Sequence, residues 1–364
     1  MKKGSMDFTI LVVTLVLTAV GVIMVYSASF YEQGLQGDSA YYFRRQLGWA
    51  GVGLVLMLLA SRVDYKVYAK KPFPFLFLGL GFALLIGVLL FGSQINNTKR
   101  WFIIAGVSVQ PAEIAKLCLI LFMAASLAKN KDIKNFWFGT LPYLVIAAAY
   151  AGLIILQPNF STTVTIMLIA VALLIAAGVR LFPLVGLGLL GGGGAAAALI
   201  RGAEYRMERI NTFLNPFQDP SGSGYQVIQS LYSLGSGGLF GMGLGQSRQK
   251  FLYLPYSEAD FIFAIVGEEL GFIGAIFIII LFAILCWRGL RIAMMVPDRF
   301  GSLLATGIVS IIAVQAVVNI AVVTGAIPAT GLPLPFISSG GSSLAIFMTS
   351  IGILLNISKQ IREV

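Results

Sequence analysis

An all-α integral membrane protein, a polytopic bundle of about ten transmembrane helices, is the fold class this chain predicts, and three observations carry the reading. The 364 residues are 58% hydrophobic and 11% charged, whereas soluble domains carry about 25% charged residues; there is too little polar surface for a string of soluble domains. The apolar residues fall into successive runs of the length that crosses ~30 Å of hydrocarbon, about 20 residues at 1.5 Å each. The basic residues sit in short groups between those runs, so the net charge of +10 forms no nucleic-acid patch and instead marks the cytoplasmic face.

The first run, 8–29, follows Lys2 and Lys3 and ends in Ser27-Ala28-Ser29, which resembles a signal-peptide cleavage site. It exceeds the roughly 7–15 apolar residues of a signal sequence, so it is read as a retained helix. Further runs follow at 46–61, 73–93, 111–128, 139–156, 160–178, 182–200, 260–287, 301–326 and 340–358. The second is short, and only Gln157-Pro158-Asn159 divides the fifth from the sixth, so nine helices is the competing count. With ten helices and a cytoplasmic start, 15 of the 25 Lys and Arg residues fall inside and four in short outer loops, which makes both termini cytoplasmic. The whole chain, 1–364, is read as a single polytopic membrane domain with a large outer loop at about 201–259. Loops beyond about 15 residues are functional or disordered. Val227, Ile228, Leu231 and Leu234 argue for order, with the spacing of an interfacial amphipathic helix. Segment 327–343 is too apolar for a simple loop and too rich in Pro and Gly for a helix. It is expected at membrane depth, against protein or a wet cavity.

The chain contains no His, which removes a His base, a Ser-His-Asp triad and the commonest metal ligand. Cys118 and Cys286 each lie inside an apolar run, where free cysteine is ordinarily a small buried side chain. Acid–base chemistry falls to carboxylates, Lys or Tyr. Asp260 ends the outer loop and opens the eighth run beside Phe261, Ile262 and Phe263. An acid in a helix's first turn is ordinary, but this apolar frame would raise its pKa toward that of a base able to take an alcohol proton. Glu268 and Glu269 lie about 12–14 Å deeper, roughly 80° and 180° around the helix from Asp260. Only Glu268 is therefore expected to look toward the same cavity, with pairing to another helix as the alternative for both. Glu113 and Lys116, three apart in a helix opened by Pro111, read either as an ion pair or as a cation placed to meet an anion. Lys99 and Arg100 beside Trp101, and Arg44 and Arg45 at the outer end of the second helix, read either as interfacial anchors or as anion contacts. Gly241-Met242-Gly243-Leu244-Gly245 looks like a phosphate cradle but lacks the strand before it and the Gly-Lys-Ser after it. Gly191 to Gly194 suit close helix packing or a flexible break. Together these features suit a lipid-linked phosphorylated substrate handled at the outer leaflet, although composition alone does not separate that from a transporter.

The run Gly245-Gln246-Ser247-Arg248-Gln249-Lys250-Phe251-Leu252-Tyr253-Leu254-Pro255, then Asp260-Phe261-Ile262-Phe263-Ala264 and Gly267-Glu268-Glu269-Leu270-Gly271, closely resembles the SEDS family of shape, elongation, division and sporulation proteins, which includes FtsW, RodA and SpoVE. The likeness extends to Lys99-Arg100-Trp101, to Gln110-Pro111-Ala112-Glu113-Ile114-Ala115-Lys116, to Gln157-Pro158 and to 331–343. It implies ten helices in the bacterial plasma membrane and a peptidoglycan glycosyltransferase that polymerises lipid II into glycan strands during division, sporulation or elongation. The implied partners are lipid II, the growing glycan strand, a single-span class B penicillin-binding protein and other divisome or elongasome membrane proteins, with no nucleic acid. The family's essential acid falls on Asp260, and its Glu-x-x-Lys pair on Glu113 and Lys116.

Such a reaction joins the 4-hydroxyl of an acceptor sugar to an anomeric carbon carrying a lipid pyrophosphate, with inversion. One displacement needs one base, and a pyrophosphate leaving group needs cations rather than a proton. Asp260 is the expected base, Arg100 and Lys116 the expected pyrophosphate contacts, Glu113 the residue orienting Lys116, and Arg44 or Arg45 the guide for a second lipid. Lys99, Gln249, Lys250, Ser342 and Ser343 complete the candidate substrate contacts. A divalent cation, Mg or Mn with Asp260 as candidate ligand, is the one cofactor anticipated, and no organic cofactor is. Three departures point to the FtsW or SpoVE branch rather than RodA. Asn159 stands where the family has Asp after Gln-Pro, Tyr256-Ser257-Glu258-Ala259 replaces Glu-x-x-Thr, and Ser339 replaces a Tyr before Gly-Gly. A lipid II flippase is the chief alternative. A secondary transporter, for which two related halves are not visible, and a non-catalytic scaffold follow it.

Overall fold

The computed structural model describes residues 5–95, 98–104, 107–180, 212–220, 222, 224–251, 254–255 and 257–361. Nine of the ten apolar runs coincide with helices there; the run at 182–200, with Gly191 to Gly194, lies outside the described residues. The spanning elements are α1 (Phe8–Leu35), α2 (Tyr41–Arg62), α3 (Phe73–Phe91), α4 (Pro111–Lys129), α5 (Leu141–Ile155) and α6 (Phe160–Ala176). After α7 (Tyr225–Gly237), which belongs to the large loop, come α8 (Ile262–Met295), α9 (Arg299–Val323) and α10 (Gly341–Ser358). α4 and α10 are the most enclosed, whereas α3 and α8 present most of their surface outward, where lipid lies.

Side chains at the boundaries stop and start these helices. Asp7 accepts from Ile10 N–H at 3.1 Å, Asn159 from Thr162 N–H at 3.3 Å and Asp298 from Gly301 N–H at 2.8 Å, each satisfying a first-turn donor that the helix cannot. Asn159, where the resembling family has Asp, thus caps α6, a task Asn performs as well as Asp. α2 and α10 pack through small residues: Gly53 lies on Met348, and a Cβ at Gly352 would come within 2.3 Å of the Met57 carbonyl oxygen. Close backbone approach is how membrane helices associate when lipid is as apolar as their side chains. Asp7 N–H donates to Ser358 Oγ at 3.0 Å and the Asp7 carboxylate pairs with Arg288 at 2.8 Å, so the starts of α1 and the ends of α8 and α10 share one end of the bundle.

Between α3 and α4 the segment read as a loop is a three-stranded antiparallel sheet, β1 (Ser93–Ile95), β2 (Thr98–Ile104) and β3 (Val107–Val109). It carries Lys99, Arg100 and Trp101 on β2.

α8 is broken at Gly271, whose φ of 68° and ψ of −171° lie in a region essentially restricted to glycine. A break at membrane depth frees backbone groups that must be satisfied by protein. The glycine-rich segment after α7 supplies the partners. Met242 N–H and Gly243 N–H donate to the carbonyls of Glu268 and Glu269 at 2.9 and 3.0 Å, while Phe272 N–H and Ile273 N–H donate to those of Gly238 and Leu239 at 2.9 and 3.2 Å. A Cβ at Gly241 would meet Glu269 O at 2.2 Å and one at Gly271 would meet Gly241 N at 2.2 Å. The Gly241 to Gly245 run is therefore the plug of a broken helix, and its glycines serve close backbone contact. Gly271→Ala should cost at least the ~1–3 kcal/mol of a strained backbone position, lowering the melting temperature of the detergent-solubilised protein; an unchanged melt would contradict this packing.

α7 also departs from expectation. Val227 and Ile228 are buried, but the helix also packs through small polar residues. Ser230 Oγ donates to Val323 O at 2.8 Å and Ser233 Oγ to Ala264 O at 3.0 Å, and a Cβ at Gly237 would meet Gly267 O at 2.0 Å. It is docked on α8 and α9 rather than resting on the bilayer alone. The irregular 327–340 segment behaves as its composition predicts: Leu332, Leu334, Phe336 and Ile337 are buried, and a Cβ at Gly21, midway along α1, would lie 2.4 Å from Phe336 O.

Candidate active site

Asp260 is fixed through three consecutive carbonyls. Ser339 N–H donates to Glu258 O at 2.8 Å, Ser338 Oγ to Ala259 O at 2.6 Å, and Asn319 Nδ2 to Asp260 O at 2.8 Å. Asn319 Nδ2 also donates to Leu332 O at 2.7 Å, and Gln46 Nε2 donates to Ser338 O at 3.2 Å. Helices α2 and α9 and the irregular segment thus hold one short stretch of chain. Beside the Asp260 carboxylate stands Gly331 (φ 74°), where a Cβ would come within 3.3 Å of Oδ2.

Other elements at this end of the bundle are stitched to the same region. Ser161 Oγ donates to Thr330 O. Arg100 donates through Nε to Gln157 O at 2.9 Å and through Nη2 to Pro158 O, which ties β2 to the α5–α6 turn. Arg45 Nη2 donates to Ser108 Oγ at 2.5 Å, and Gln110 N–H to Ser342 Oγ at 3.2 Å. Arg45 has no carboxylate partner among the described residues. Lys99 is exposed. Arg44 is exposed and pairs with Asp38. Ser343 Oγ donates to Gly340 O at 3.0 Å, in the first turn of α10.

Several candidate residues are drawn into the framework instead. Lys116 is fully buried, with Nζ 2.7 Å from Glu113 Oε1 and 3.0 Å from Gln315 Oε1; of the two sequence readings of this pair, the intrahelical ion pair is the one present. Lys250 is buried, 3.6 Å from Glu269 Oε1, and donates to Gly245 O. Gln249, its neighbour, is half-buried with Oε1 enclosed. The expectation that Glu268 looks toward Asp260 is corrected: Glu268 accepts from Ser233 Oγ at 3.0 Å, Ser247 Oγ at 2.5 Å and Arg248 N–H at 2.8 Å. Glu269 accepts from Ser27 Oγ at 2.7 Å and Ser247 N–H at 3.3 Å. Both acids fasten neighbouring elements to the broken helix: Ser233 and Ser247 from the large loop, and Ser27, part of the cleavage-like triplet, from α1. Asn319 and Gln315 escaped the sequence reading, although two amides four residues apart in an apolar run were the available signal.

Glu258 lies two residues before Asp260, with 7% of its surface exposed and Oε2 without a hydrogen-bond partner among the described residues. Burial pushes its pKa up, reinforced by the charges of Glu32 and Asp260. A carboxyl raised on folding adds stability that is complete below the ordinary carboxylate pKa and is lost as pH climbs through the raised value. Glu258→Gln should remove that pH dependence, seen in melting curves from about pH 4 to about pH 8; an identical pH profile in both proteins would contradict it.

Fold and site together define a multi-pass helical membrane protein in which several elements converge, at one end of the bundle, on a backbone-clamped acid. The chain matches the family described as cell cycle proteins, that of FtsW, RodA and SpoVE, over residues 7–363, and it belongs to that family. It is 45% identical to the stage V sporulation protein E of Bacillus subtilis over 99% of each chain. Identity is 43% with the probable peptidoglycan glycosyltransferase FtsW of Trichlorobacter lovleyi, over 99% of this chain and 95% of the relative. Among solved structures, a chain from a peptidoglycan synthase complex described as coordinating polymerization and crosslinking superposes with a TM-score of 0.80 at 26% identity, covering 97% of both chains. The rod shape determining protein RodA of Thermus thermophilus superposes with a TM-score of 0.72 at 25% identity, covering 98% of both.

Proposed function

We propose that this chain is a peptidoglycan glycosyltransferase of the FtsW or SpoVE branch, polymerising lipid II at the outer face of the bacterial plasma membrane with both termini in the cytoplasm. The observation that carries the reading is the triple carbonyl clamp on the Asp260 stretch, because a general base must be held where the reacting proton will be. Asp260 accepts the proton of the acceptor's 4-hydroxyl as that oxygen attacks the anomeric carbon. A carbon–oxygen bond forms, the bond to the lipid pyrophosphate breaks, and the pyrophosphate leaves with the electron pair and inverted stereochemistry at carbon. Arg45 donates to a hydroxyl, an acceptor that does not neutralise it, so its charge and that of exposed Lys99 are available to the pyrophosphate, with Arg100 on the same strand as Lys99. Exposed Arg44, paired with Asp38, is the residue assigned to guide a second lipid. Lys116 supports the start of α4 from within rather than touching substrate.

Among the described residues no three His, Cys, Asp or Glu side chains gather into a metal-holding group. A Mg or Mn ion with Asp260 as ligand would, among these residues, have to complete its coordination with substrate oxygens or water, and would supply charge neutralisation of the pyrophosphate. A class B penicillin-binding protein as partner is supported by the similar chain's place in a polymerizing and crosslinking complex, and the orientation by the basic asymmetry of the loops. Purified protein given lipid II, alone and with a candidate transpeptidase, should yield glycan polymer. No polymer under either condition, with transbilayer movement of lipid II instead, would establish a flippase.

A further inference from the structure

We propose that the cavity formed by the α4–α5 connection and Arg180, at the end of the bundle where α1 starts and α10 ends, binds the phosphate headgroup of an anionic phospholipid. The cavity has a volume of about 570 Å³, and its lining includes Lys131, Lys134, Arg180 and the single acid Asp132. Two separate connections bring these cations together: 130–135 follows α4, and Arg180 follows α6. All three are exposed, and none is in an ion pair among the described residues. Three like charges around one concavity repel one another until an anion enters, and one carboxylate leaves the cavity net positive.

The residues that follow the lining residue Phe136 in sequence indicate a lipid rather than a soluble anion. Trp137 and Phe138, 68% and 71% exposed, follow directly at the head of α5, the position of the aromatic belt that sits at headgroup level. A phosphodiester at that level meets the cations while its acyl chains run beside the rings, and basic pockets between spanning helices are recognised sites for such headgroups. The backbone supports the shape: Asn130 Oδ1 accepts from Asp132 N–H at 2.8 Å, Asn135 Oδ1 from Trp137 N–H at 2.9 Å, and a Cβ at Gly139 would meet Asp132 O at 2.4 Å. The connection is thereby folded tightly under the rings.

The test is native mass spectrometry of the full chain in detergent, titrated with phosphatidylglycerol or phosphatidylcholine. The variant K131Q/K134Q/R180Q is compared with K66Q/K70Q/R291Q, which removes the same charge from elsewhere on that end. The wild type and the second variant should retain phosphatidylglycerol over phosphatidylcholine, and the first should lose roughly tenfold or more of that affinity at low salt. Equal losses in both variants, or none in the first, would overturn the site in favour of diffuse surface charge. Complete displacement by inorganic phosphate would overturn the lipid assignment in favour of a soluble anion.

Discussion

Asp260→Asn should form glycan polymer about 10²–10⁴-fold more slowly than the unmodified protein, the range for a lost general base. The substitution preserves shape, and carbonyls of the main chain at 258, 259 and 260 make bonds that locate the residue and that the substitution leaves in place. Folding and lipid II binding should therefore change little. Melting temperature, lipid II retention and polymer yield measured on one preparation separate these outcomes. Loss of folding together with activity would show that the carboxylate is a structural group, and full activity would remove it from the chemistry.

The second large effect concerns Lys116. Removing one partner of a buried ion pair leaves the other charge uncompensated, at a cost of about 3–5 kcal/mol; Lys116→Met should do this to Glu113, which is 1% exposed. Pairing the change with Glu113→Gln removes both charges, and such neutral replacements are often harmless. Because Lys116 has no exposed surface, the double variant should recover both stability and polymer yield. A double variant that regains its melting temperature but stays about 10²–10³-fold slow would mean that Lys116 stabilises the leaving pyrophosphate directly, in a conformation other than this one.

The spanning helices were legible because lipid imposes length and polarity on each segment independently, so nine apolar runs could be located without knowing their neighbours. Asp260 was legible as an acid at the junction of loop and helix, and the apolar 327–340 stretch as backbone that needed protein around it. What stayed hidden depended on pairs of distant segments. One glycine among 41 breaks α8, and only the contact of Gly271 with Gly241 distinguishes it from the rest. Without that contact the Gly241 to Gly245 run has the composition of a phosphate loop. Likewise the angles of Glu268 and Glu269 were reckoned from Asp260 as a helical residue, yet the helix begins at Ile262 and their partners Ser233, Ser247 and Ser27 lie on other elements. The angle alone could not tell a cavity-facing acid from a fastener. Lys116 and Lys250 share this difficulty: a cation in an apolar setting demands an anion, and spacing does not say whether protein or substrate provides it.

The most direct test of Asp260 as the base is the pH dependence of polymerisation rate under single turnover, for the unmodified protein and Asp260→Asn side by side with saturating lipid II and the partner transpeptidase. The unmodified rate should rise with pH to a plateau as one carboxylate ionises, and the Asp260→Asn rate should be low and flat across the same range. An Asp260→Asn profile that rises along the same curve to a comparable plateau would contradict it.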